Sequence, residues 1–204
     1  MELREALSQI SDIHQKMARA EVFRGYRSAT VGMSGVLGML AAWFQSRWVP
    51  FPERDLGSYL ALWLSVALVS AAVGVVEMCF RAYRAGPGLA REMTRLAVGQ
   101  FMPAIVVGGL LTGCVYQSAP EVGWMLPGLW AFIFGLGVFA SYRLLPGQAF
   151  WVGLYYVACG CGCLIWGQET LALSPWLMAV SFGGGQLIAA FILYWTLERY
   201  YVAS

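Results

Sequence analysis

Charge is what this sequence has least of: 12% of its 204 residues are charged, about half the proportion in an ordinary soluble domain. With 59% of residues hydrophobic and a mean hydropathy of +0.64, a soluble fold would lack the polar surface to cover its core. Histidine is nearly missing as well. The single histidine, His14, lies outside every long apolar run, which excludes a membrane-embedded histidine base, a histidine-held haem and a histidine-ligated zinc. The five cysteines, Cys79, Cys114, Cys159, Cys161 and Cys163, have no second ligand cluster to close a metal site. Cys159 and Cys163 share a helix face while Cys161 points away, so a disulfide within this helix is geometrically disfavoured and the run reads as small packing residues. No glycine-rich phosphate loop of the Walker type occurs. A net charge of +2 is too small to attract nucleic acid. The start, Met1-Glu2-Leu3-Arg4, is amphipathic and has no apolar core or small-residue cleavage site of a signal peptide, so the first apolar run is expected to be retained.

What the sequence does have is six apolar runs, at 28–45, 57–80, 96–117, 124–142, 148–167 and 174–196, which together contain one formal charge, Glu77. A helix rises about 1.5 Å per residue, so about 20 residues cover the hydrocarbon core of a bilayer. The runs lack the polar and apolar alternation of barrel strands. They predict an all-α integral membrane protein of six transmembrane helices in three consecutive hairpins, residues 28–204, preceded by an amphipathic cytoplasmic helix, residues 1–27. The spans and their connections use nearly the whole length, leaving no room for a separate soluble catalytic domain.

Orientation follows from charge. With the N-terminus in the cytoplasm, 11 of the 13 basic residues lie inside, leaving Arg47 and Arg54 outside. The positive-inside rule then places both termini in the cytoplasm of a bacterial-type inner membrane. Tryptophan and tyrosine fit the same scheme: Trp43, Trp48, Tyr59, Trp63, Tyr116, Trp124, Trp166 and Trp176 read as an outer belt, and Tyr26, Tyr83, Tyr142, Tyr194, Trp195, Tyr200 and Tyr201 as an inner one. Similar aromatic and polar endings recur in the three hairpins. Internal duplication and a shared belt requirement both account for them.

Helices in lipid associate through small residues. Ser34 and Gly38, Gly109 and Gly113, Ala158 and Gly162, and Ala179 and Gly183 each stand four residues apart and read as packing surfaces. Gly32-Met33-Ser34-Gly35 is superficially similar to the serine motif of rhomboid intramembrane proteases, but it falls in the first span and no membrane histidine can activate the serine.

The candidate ligand or ion site combines Gln186, Gly183, Gly184, Gly185, Gln100 and Glu77. Gln186 sits at mid-span directly after three glycines that weaken the helix. An opened helix there would resemble the broken spans of transporters, whereas close packing with Gln186 bonded across an interface is the preferred reading. Gln100 precedes Pro103, which should kink its span. Glu77 stands one turn before Arg81, where an ion pair can anchor the span at the headgroups; a proton or cation site is the alternative. In the N-terminal arm, Leu3, Leu7, Ile10, His14 and Met17 recur at spacings of four and three, marking one sticky helix face that suits a membrane surface, the bundle or a partner.

The sequence therefore points to a multi-pass protein that acts by binding, as a partner-binding, sensory or accessory subunit rather than an enzyme. The alternative is a small-solute or ion transporter with a site near Gln186. Its expected partners are membrane lipids and either another protein or a second copy. No cofactor beyond bound lipid is expected.

Overall fold

Six helical rods make up the computed structural model, which describes residues 28–84, 89–168 and 171–198. No strand occurs among the described residues. The rods are α1 (Ser28–Trp48), α2 (Leu56–Arg84), α3 (Leu89–Ser118), α4 (Leu126–Ala140), α5 (Ala149–Trp166) and α6 (175–198). A 3₁₀ segment, Pro120–Met125, runs directly into α4. Within α6, an α-helical turn at Pro175–Met178 passes into a π segment, Ala179–Gly184, then α-helix at Gly185–Leu193 and a second π segment at Tyr194–Glu198.

Five of these helices are long and apolar enough to cross a membrane: Leu56–Phe80, Val98–Ser118, Pro120–Ala140, Ala149–Trp166 and Pro175–Thr196. The protein is thus a candidate helical multi-pass membrane protein. The first run also forms a helix, of 21 residues, but Ser28, Gly32, Ser34, Gly35 and Gly38 dilute its hydropathy. α3 starts at Leu89, seven residues before the apolar run, because helix-forming residues such as Leu89, Ala90, Arg91 and Glu92 extend it beyond the hydrocarbon-length stretch. Pro103 lies inside α3. The arm of residues 1–27, with Leu3, Leu7, Ile10, His14 and Met17, lies outside the described residues.

The turn between α1 and α2 carries Pro50 and Pro52, which stop a helix by removing backbone donors. Asp55 then starts α2: its Oδ1 accepts the backbone N–H of Ser58 at 3.0 Å, satisfying one of the free amides of the first turn. The Ser58 hydroxyl and this backbone N–H hold the Asp55 carboxyl below its ordinary pKa, outweighing a small opposing effect of burial. Because the folded pKa is depressed, the stabilisation is present above the unfolded value of about 3.9 and is lost as pH falls through the folded value. Asp55→Ala is expected to lower the thermal midpoint at neutral pH. The gap from the parent should close once the carboxyl protonates, and thermal unfolding across a pH series checks it.

Successive helices neighbour each other in space and α6 closes the ring against α1. The two tightest seams, α1 with α6 and α4 with α5, join different hairpins, first to last and second to third, rather than the two arms of one. Glycine explains both. A Cβ at Gly35 would stand 3.0 Å from the Gly183 carbonyl oxygen, and one at Gly128 would stand 3.0 Å from that of Gly160, so only glycine lets these backbones approach. α2 and α3 remain peripheral: 17% and 11% of their apolar windows are buried, against 44% for the span containing α4.

Indole ties hold these outer helices. Trp63 Nε1 on α2 donates to Gln45 Oε1 on α1 at 2.8 Å, and Trp130 Nε1 on α4 donates to Thr112 Oγ1 on α3 at 2.8 Å. Two members of the expected outer aromatic belt are therefore core residues instead. Tyr59 and Trp63 are buried, with Tyr59 stacked on Trp130 at 6.5 Å and tilted against Trp63 at 6.5 Å. Trp43, Trp48, Tyr116, Trp166 and Trp176 are exposed, as a belt requires.

Candidate functional site

Gln186 lies in the α-helical part of α6, two residues beyond the end of the π segment at Gly184. Its Oε1 accepts from the Ser34 hydroxyl of α1 at 3.2 Å, in a three-centre bond whose single proton is shared with the Val31 carbonyl at 2.7 Å. Its Nε2 donates to the Tyr156 hydroxyl of α5 at 3.2 Å. One amide thereby bridges three helices. Such bonds replace the partners that hydrocarbon cannot supply and fix the rotation of each helix.

The three glycines before it are close contacts in turn. A Cβ at Gly183 would meet Met39 Cγ at 2.8 Å, one at Gly184 the Tyr155 hydroxyl at 2.7 Å, and one at Gly185 the Tyr156 ring at 2.5 Å. The helix stays continuous through them by widening into the π segment, and the Tyr155 hydroxyl donates to the Val180 carbonyl of that segment at 2.6 Å. Ser181, fully buried, turns its hydroxyl back to the Leu177 carbonyl at 2.6 Å. Around this network Tyr156 packs on Phe134 at 4.6 Å and Phe182 at 5.6 Å, and Phe134 on Phe101 at 5.1 Å, giving an aromatic core shared by α3 to α6.

The other candidate residues stand apart from it. Gln100, on α3, has no hydrogen bond to Gln186, and its Oε1 is buried without a partner. Glu77 is partly exposed on α2; the side chain of Arg81, its expected partner, lies outside the described residues. Two further buried atoms are unpaired, the hydroxyls of Tyr59 and Ser141. Cys163 is buried, Cys159 half-buried, and Cys79, Cys114 and Cys161 exposed, all as free thiols. Among the described residues, no cluster of three metal-ligating side chains forms.

A second polar junction was not anticipated. Gln45 Nε2 donates to the Leu173 carbonyl at 2.8 Å while its Oε1 takes the Trp63 indole N–H. Leu173 has a φ of 53°, a left-handed conformation unusual for leucine, and the Gln45 amide captures its carbonyl. The available signal was the position of Gln45 at the end of an apolar run. A glutamine there needs either water or partners, and its 1% exposure settles which.

The fold and this network define a class, a helical multi-pass membrane protein candidate with a polar bridge through its core. No known protein family, curated protein or solved structure matches the chain.

Proposed function

We propose that the protein is a membrane-embedded binding subunit, oriented with both termini in the cytoplasm of a bacterial-type inner membrane, that docks another membrane protein. One observation carries this reading: the Gln186 amide is bonded at both ends within the bundle, while α2 and α3 turn their apolar faces outward. Leu68, Val69 and Val76 of α2 and Met102, Ile105 and Val106 of α3 are all exposed. A protein that transports or converts a small molecule needs polar groups aimed at a cavity, whereas a docking subunit needs surface. The amphipathic arm, with Leu3, Leu7, Ile10, His14 and Met17, supplies a second contact at the cytoplasmic side.

The transporter alternative keeps two observations, the π segment beside Gln186 and the unpaired Oε1 of Gln100. π segments recur at functional sites. The readings separate on purification from native membranes in mild detergent. A stoichiometric protein partner, lost on deletion of residues 2–20 and retained by Gln186→Leu, is the expected result. The protein recovered with lipid alone, together with solute flux in proteoliposomes that Gln186→Leu abolishes, would overturn it.

A further inference from the structure

We propose that the open groove between α2 and α3 is a binding site for an acyl chain of a membrane phospholipid. The groove has a volume of about 390 Å³ and runs from Gly57 and Tyr116 at its mouth to Leu64 and Gly109. Its floor lacks side chains, because a Cβ added at Gly109 or Gly113 would meet nothing within 4 Å.

Four observations choose the occupant. The groove opens sideways between the two helices that bury least of their apolar windows, so it faces hydrocarbon rather than water. Its lining makes no polar demand: Thr112, buried beneath it, donates to the Gly108 carbonyl at 2.7 Å and accepts the Trp130 indole N–H at 2.8 Å. The groove is narrow. From residue 109 to 116 is about 10 Å of helix, giving it a mean section of about 40 Å². Polymethylene chains, whose carbons pack about 4 Å from their neighbours, fit that section. Lastly, the mouth is polar, as an amphiphile requires. The Tyr116 hydroxyl and the Asp55 carboxylate lie 3.3 Å and 3.7 Å from the Cβ position of Gly57, so the phenol stands where a lipid ester linkage emerges from the groove.

This site is separate from the Gln186 network; it lies between the two helices whose outer faces the docking reading uses, and lipid retention by the isolated protein tests it without a partner present. The test uses the full chain reconstituted with palmitoyl-oleoyl phosphatidylcholine, re-extracted in mild detergent, with bound lipid counted by native mass spectrometry. The parent should retain one phosphatidylcholine per chain. Gly109→Leu combined with Gly113→Leu should lower the retained fraction at least tenfold, while Leu136→Ala, at an exposed position on α4 outside the groove, should leave it unchanged. Both glycines face open space and leucine is the better helix former, so the double variant should fold, which its unfolding curve checks. Equal retention by parent and double variant, or no lipid on the parent, overturns the proposal. So does a dimer that dissociates in the double variant with its lipid count unchanged, since the occupant would then be a second copy.

Discussion

Gln45→Leu is expected to destabilise the protein by about 2–6 kcal/mol, since it leaves two buried groups unpaired at about 1–3 kcal/mol each. The Trp63 indole N–H loses its acceptor and the Leu173 carbonyl its donor, and both residues are about as buried as Gln45 itself. The damage should spread, because the amide joins α1, α2 and the turn leading into α6. Leu173, no longer held by its carbonyl, can leave its left-handed conformation, and that turn loses its fixed path. Trp63→Phe removes only the indole donor and should cost less. The double-mutant cycle, followed by reversible unfolding in mixed micelles, should return a coupling of about 1 kcal/mol between the two positions. Additive losses would mean that the indole to amide bond contributes nothing and that Trp63 acts only by filling space.

The helices were legible in the sequence and their contacts were not, for one physical reason. Hydrocarbon leaves backbone amides only a helix or a closed barrel in which to find partners, so an apolar run long enough to cross it that lacks barrel alternation reads as a helix. The same hydrocarbon is as apolar as a helix face, so burial leaves little mark on composition. Leu68 and Val76 look outward and Leu60 and Leu126 inward, with no difference in residue type to separate them. Trp63 illustrates the same ambiguity, since an indole near a helix end suits a lipid interface or an amide acceptor equally well. Gln186 was legible as a residue in need of partners, because a mid-span amide has no water to turn to. That the partners are Ser34 and Tyr156 depends on how α1 and α5 rotate, which the sequence of α6 does not encode. Spacing of small residues failed in a more instructive way. Gly38 and Gly183 do meet across the α1 and α6 seam, with 3.5 Å between the Gly38 Cβ position and Gly183 Cα, whereas Gly109 and Gly113 touch nothing. Spacing shows that backbones can approach and leaves open which of them do.

That contrast sets the second large expectation. Gly185→Ala should cost about 2 kcal/mol, within the range for overfilling a packed interior, while Gly113→Ala should be neutral or stabilise by up to about 1 kcal/mol through helix propensity. A methyl group at Gly185 falls 2.5 Å from Tyr156 Cζ and 2.7 Å from its hydroxyl. The ring has nowhere to retreat, being fully buried and packed against Phe134 and Phe182. Moving it also stretches the bond from Gln186 Nε2, so the packing defect and the loss of the polar bridge are one event. Gly185→Ala and Tyr156→Phe should therefore be strongly non-additive when their unfolding curves are compared with that of the double variant, since the phenylalanine variant has already lost that bond and removed the hydroxyl from the clash. If Gly185→Ala unfolds like the parent, the α5 and α6 seam yields more easily than its geometry implies, and the Gln186 bridge cannot be what fixes the rotation of α6. If it behaves as expected, the bundle divides into a rigid part, α1 with α4 to α6, where glycines such as Gly35, Gly128 and Gly185 are required by contact, and an outer pair, α2 and α3, where Gly74, Gly109 and Gly113 leave space. The groove of that outer pair is then a place where occupants from the membrane can enter, and substitutions there report on binding without disturbing the fold.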